Sequence, residues 1–181
     1  MHEYFLLKPY PVFEVVKGEP LVDTTCSECG RTVKLGETRL RVKFVDDPPF
    51  PDAISALDGP EWAASERFMK VLEEQNAASQ YEPLVDEENG AETFYQVIVK
   101  ETVRASRSFV SGGRPCNSCG QGAQLKGGPV IIDQIDSETK IGRLLENPYL
   151  IIIRDDLLQR IREAALDVDA EAALLEGRAR K

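Results

Sequence analysis

Histidine is nearly missing from this chain of 181 residues: there is one, His2, beside the first residue. A serine or cysteine nucleophile is commonly activated by a neighbouring imidazole, and only His2 can supply one here. Aspartate and glutamate are plentiful, but no pair is spaced so as to single out a general acid and a general base. A phosphate loop is missing too. Ser111-Gly112-Gly113-Arg114 and Lys126-Gly127-Gly128 lack both its spacing and the helix that must follow it. These absences argue against an enzyme.

Long apolar runs are also missing. The opening MHEYFLLKPYPVFEVV has no basic leader, no extended apolar segment, and prolines at positions 9 and 11. Neither a signal peptide nor a transmembrane helix is expected, so the reading is a cytoplasmic chain with no membrane partner. Positive charge is in short supply, with 22 Lys and Arg against 31 Asp and Glu, a net charge of −9. Such a balance repels nucleic acid at long range and attracts basic partners.

The shortage is local. From Val71 to Val99 there is no Lys or Arg, while Glu73, Glu74, Glu82, Asp86, Glu87, Glu88 and Glu92 fall inside it or beside it. With Asp46, Asp47 and Asp52 they make residues 46–92 an acidic insertion. Glu82, Asp86, Glu87 and Glu88 are the candidate contacts to a basic partner; a plain solvated loop is the simpler alternative. Basic residues gather elsewhere: Arg31, Lys34, Arg39, Arg41 and Lys43 after one cysteine pair, and Lys100, Arg104, Arg107 and Arg114 before the other. Together they can form a face for nucleic acid, or they can be solvated strand faces that offset a dianionic metal site.

The four cysteines form a pattern. Cys26-Ser27-Glu28-Cys29-Gly30 is echoed by Cys116-Asn117-Ser118-Cys119-Gly120. In a tight Cys-x-x-Cys turn both sulfurs reach one ion at about 2.3 Å, and the glycine tolerates the positive φ that turns backbone N–H groups toward the sulfurs. Two such knuckles supply four thiolates and close a tetrahedral structural site with no open position. Zinc is the expected ion, bound by Cys26, Cys29, Cys116 and Cys119. Iron shares the spacing. The separation of the pairs greatly exceeds the roughly 15–20 residues of a simple zinc ribbon, which also admits two redox motifs or unliganded thiols. Neither pair opens a helix, the setting in which redox thiols are activated.

Length and composition suit a single domain, residues 1–181, of α+β class. Its centre is strand-rich, with a zinc-ribbon-like pair of knuckles and helices in the insertion and at the C-terminus. Strands are expected over Tyr4–Val16, at an edge because of the prolines, and over Thr38–Val45, Thr93–Val103, Pro129–Ile135 and Tyr149–Ile153. Gln75–Gly90 and Gln121–Gly128 read as loop and turn-rich connector. Helices are expected from about Pro60 to Asn76, from a cap at Asp155 or Asp156 to Leu166, and over Ala170–Leu175.

Both Cys-x-x-Cys-Gly pairs, their wide spacing and the closing Leu144-Leu145-Glu146-Asn147-Pro148-Tyr149 with Ile151–Leu166 resemble the double-CXXCG motif family of myxobacteria and other proteobacteria. Some members are immunity proteins carried beside swarming-inhibition or other polymorphic toxins. The resemblance implies a small cytoplasmic protein that binds and neutralises a cognate toxin, with the cysteines at 26, 29, 116 and 119 as the family motif. A zinc-ribbon nucleic-acid-binding or regulatory protein is the alternative.

Overall fold

The run Ile151-Ile152-Ile153 shows how the chain is layered. Successive side chains of a strand point to opposite faces. Here Ile151 and Ile153 join one buried cluster and Ile152 joins another, so the strand is covered on both sides. The computed structural model describes residues 3–20, 23–34, 36–77, 80–88, 90–91, 93–133, 135–136 and 138–175.

Two sheets make the frame. The first has six strands, in the order β11 (Thr102–Val103), β15 (Ile141–Leu144), β16 (Asn147–Arg154), β1 (Tyr4–Lys8), β17 (Asp169–Leu175), β14 (Ile131–Ile132). The second has seven, in the order β8 (Gln80–Pro83), β10 (Phe94–Ile98), β7 (Trp62–Ser65), β6 (Ala53–Ala56), β2 (Tyr10–Pro20), β5 (Glu37–Phe44), β9 (Val85–Asp86). Two small hairpins, β3 (Asp23–Thr25) with β4 (Thr32–Lys34) and β12 (Val110–Gly113) with β13 (Ala123–Leu125), stand apart from the sheets. The helices are α1 (Glu66–Glu74) and α2 (Asp155–Glu163). No described helix is long and apolar enough to cross a membrane.

The central apolar cluster joins the sheets. It takes Leu7, Ile151 and Ile153 from the first, Trp62, Ala64 and Val97 from the second, and Phe68, Leu72, Leu157 and Ile161 from the helices. The first sheet turns Leu6 and Ile152 to a second cluster. The second sheet turns Phe13, Leu40, Val42 and Ala63 to a third. Leu40 and Val42 are buried while Arg39, Arg41 and Lys43 are exposed, the alternation expected of β5.

Several expectations are corrected. β1 lies between β16 and β17 and β2 between β5 and β6, so neither is an edge strand. Pro9 falls in the break between β1 and β2, and its carbonyl accepts the Ser55 hydroxyl at 3.3 Å. The stretch expected as one strand from Thr93 to Val103 splits: β10 pairs in the second sheet and β11 in the first, with the chain crossing between them. Residues 62–65 are strand, not helix. Trp62, Ala63 and Ala64 are wholly buried between β6 and β10, and α1 begins only after Ser65, whose hydroxyl caps it by accepting the Phe68 N–H at 3.2 Å.

α2 is also capped differently than expected. Its N-cap position is Arg154, which gives no side-chain cap bond; Asp155 and Asp156 sit inside the first turn, where their charge suits the helix dipole. Residues 170–175 form β17 rather than a helix: Leu6 pairs with Glu171 and Phe5 with Ala172, and the strand fills a gap between β1 and β14. Gln75–Gly90 contains β8 and β9, and Gln121–Gly128 contains β13. Residues 46–92 supply four strands of the second sheet, β6, β7, β8 and β9, and Asp52 is buried in it. Asp52 accepts the Ser65 hydroxyl and the Asp167 N–H, and so ties the start of α1 to the segment after α2.

Candidate metal centre

Each cysteine pair caps a hairpin, the first that of β3 and β4, the second that of β12 and β13. The two turns are built alike. Cys26 N–H donates to the Arg31 carbonyl at 2.9 Å and Gly30 N–H to the Cys26 carbonyl at 2.8 Å. Cys116 N–H donates to the Gln121 carbonyl at 3.0 Å and Gly120 N–H to the Cys116 carbonyl at 2.9 Å. Gly30 and Gly120 both have φ of 69°, a left-handed conformation that costs glycine little.

The fold brings these distant turns face to face. Cys26 Sγ lies 3.7 Å from Cys116 Sγ, and Cys29 Sγ lies 3.6 Å from Cys119 Sγ. All four sulfurs fall within 4.8 Å of one another, a group able to hold a metal ion. A tetrahedron with metal–sulfur bonds of about 2.3 Å has edges of about 3.8 Å, so the two closest contacts match its edges. Cys26 and Cys119 are buried, Cys116 is half-buried and Cys29 is exposed, which places the group at the surface with one side sealed.

Electrostatics favour a cation at this point. The N–H groups of Cys29 and Glu28 hold the Cys26 thiol down at about 6. Cys119 feels the Gln121 N–H in the same sense, but burial and its contacts with the other three sulfurs outweigh it and push the thiol up to about 12. Sulfurs this close cannot all ionise unless a cation shares their charge, and a metal that does so displaces their protons. Charges of both signs stand nearby: Glu28 Oε2 lies 3.5 Å from Cys116 Sγ, Arg104 donates to the Asn117 carbonyl, and the Arg31 guanidinium lies against Gly122 of the opposite knuckle, where the cations offset the charge of the thiolates.

The hairpins are rooted in different sheets. At the base of the first, Glu37 N–H donates to Glu61 Oε1 at 2.8 Å and the Gln96 amide donates to the Glu37 carbonyl, both within the second sheet. The second hairpin packs through Val110 and Leu125 on the cluster under the first sheet, and Gly120 rests on Leu145 in the β15–β16 turn. The cysteine group therefore spans the two sheets.

The candidate partner contacts have a different setting from the one their composition suggests. Glu82 accepts the Thr38 hydroxyl and the Arg39 N–H, the latter at 2.8 Å. Glu87 pairs with Arg41 at 2.7 Å and Glu88 lies 3.8 Å from Lys43. Asp86 accepts the Glu88 N–H at 3.0 Å. The parallel pairing of β9 with β5 brings this acidic stretch onto the basic strand. The Arg41–Glu87 and Lys43–Glu88 contacts thus partly neutralise the acidic and basic stretches, and Arg39 also pairs with Glu19 of β2 at 3.1 Å. His2 and Glu92 lie outside the described residues.

Nothing in the sequence pattern marks Glu61 and Arg143, yet they are charged residues only 5% and 4% exposed. Burial raises the Glu61 carboxyl, and the N–H groups of Glu61 and Glu37 and the Arg143 guanidinium offset part of that rise. Glu61 borders a cleft of about 680 Å³ that runs between Glu37 of the second sheet and Tyr149 of the first. No protein-family model matches the chain, and no curated protein matches it.

Proposed function

We propose that this chain is an immunity-type protein that binds and neutralises a cognate, basic toxin, with one structural zinc held by Cys26, Cys29, Cys116 and Cys119. The observation that carries the reading is the closed four-sulfur group. A metal with four thiolate ligands has no position left for water or substrate, so it supports a surface and does no chemistry there. Zinc is preferred because soft thiolates in tetrahedral array suit it, and it needs no redox partner.

The net charge of −9 supports a basic protein partner. The nucleic-acid alternative loses ground, because Arg39, Arg41 and Lys43 face carboxylates of their own chain. The cytoplasm is the compartment that fits free thiols awaiting metal.

Co-expression with a basic toxin tests the reading, the first candidate being any toxin-like reading frame found next to the gene for this chain. The chain should protect the cell and co-purify with the toxin, and association should slow as salt is raised. Failure to protect, combined with tight DNA or RNA binding at physiological salt, would decide for the nucleic-acid alternative.

A further inference from the structure

The two sheets leave part of their seam open. The cleft of about 680 Å³ is lined by four acidic residues, Glu14, Glu37, Asp58 and Glu61, and by no Lys or Arg among the described residues. None of the surface ion pairs described above uses these four groups. Tyr149 stands at the cleft 55% exposed. Glu61 forms the buried floor of the cleft, where Gly36 and Gly59 pack against its carboxylate oxygens and the Arg143 guanidinium offsets part of its charge, so Glu14, Glu37 and Asp58 supply the more exposed charge. A smaller cavity of about 260 Å³ adjoins the cleft, sharing Ala56, Gly59, Pro60, Glu61 and Tyr149 with it, and Lys8 lines its other side. Trp62 also lines this cavity, 1% exposed, and its Nε1 donor has no hydrogen-bond partner among the described residues.

We propose that the cleft docks a basic peptide segment of a partner protein, with an arginine side chain entering between Glu37, Asp58, Glu61 and Tyr149. The inference rests on the reading of the chain as a binding module for a basic protein. A guanidinium fits this lining better than an ammonium does. Its flat fork of donors matches several carboxylates at once and stacks on a tyrosine face. The same carboxylates repel phosphate, so a nucleic-acid occupant is disfavoured.

The probe is N-acetyl-arginine amide, with the neutral isostere N-acetyl-citrulline amide as its control. Trp62 is the one tryptophan of the chain, so its emission reports on the cleft. The arginine amide should change that emission saturably, and the citrulline amide should bind at least tenfold more weakly. Glu61→Gln keeps an acceptor for the Glu37 N–H, and Glu14→Gln/Asp58→Asn changes exposed positions; each should weaken the arginine probe severalfold with the far-UV spectrum unchanged. Glu163→Gln, on α2, should leave binding as it is. Equal binding of both amides, no saturable response at millimolar probe, or arginine binding that survives both sets of changes would overturn the proposal. A toxin neutralised equally well by these variants keeps the immunity reading and removes the cleft from it. Arginine binding without any protected toxin does the reverse.

Discussion

Gly30 and Gly120 are equivalent in the sequence and share the same φ, but their surroundings differ. A Cβ at Gly30 meets nothing within 4 Å, whereas at Gly120 it would lie 3.0 Å from Leu145 Cγ and 3.1 Å from the Leu145 backbone. Gly30→Ala should therefore cost only the left-handed strain, about 1–2 kcal/mol. Gly120→Ala adds overpacking and should cost about 3 kcal/mol or more. Urea unfolding of the two zinc-loaded variants checks this, and equal losses would contradict it. The glycines were legible as knuckle residues because their local chemistry repeats. The Leu145 contact was not, since it depends on where the second hairpin lands. A second forecast at this scale concerns Asp156. Arg154 donates to it at 2.7 and 2.8 Å and holds its carboxyl at about 2, below the ordinary 3.8. A depressed carboxyl contributes stability above its unfolded value and loses it as pH falls through the folded one. Asp156→Asn should accordingly be less stable than the parent at pH 6, and the gap should close between about pH 4 and pH 2.

Among the elements, the helix ends carry the clearest test. α2 ends at Glu163 with Ala164 as its cap; Ala165, just beyond, has φ of 51°, and the Arg67 guanidinium of α1 donates to the Ala164 and Ala165 carbonyls at 3.0 and 3.2 Å. Glycine is the usual residue at such a C-terminal position. Ala165→Gly should stabilise the protein by about 0.5–1 kcal/mol, since relief of left-handed strain exceeds the added chain entropy. A thermal melt that falls instead would show that the Ala165 methyl is needed where it is. The strands β5 and β16 and the body of α2 were legible because their apolar spacing is set by burial on known faces. β7 and β17 were not: Trp62-Ala63-Ala64 and Ala170-Glu171-Ala172-Ala173 favour helix locally, and pairing with neighbours already in place overrides that preference. The acidic stretch misled for a related reason. Composition made it a loop, but Leu84 is buried and β8 and β9 pair at the two edges of the second sheet.

For the molecule as a whole, the cysteine group acts as a clasp. One hairpin grows from the second sheet and the other from the cluster beneath the first, and the proposed metal between them would join what the backbone leaves as two projections. Chelation should speed amide exchange in residues 23–34 and 114–122 while Ile151–Ile153 at the core stay protected. Loss of protection throughout would make the metal a requirement of the whole fold, and no change would leave it without a structural role. That the two Cys-x-x-Cys turns would meet was legible from their chemistry alone. That they would meet across two sheets was not, because it arises from long-range pairing.

Native mass spectrometry of the chain, purified under reducing conditions with zinc supplied, reads the metal content of the cysteine group. One zinc per chain is expected, bound with loss of thiol protons, and no bound zinc in Cys116→Ser. Two metals per chain, no metal at all, or undiminished zinc in Cys116→Ser would contradict that expectation.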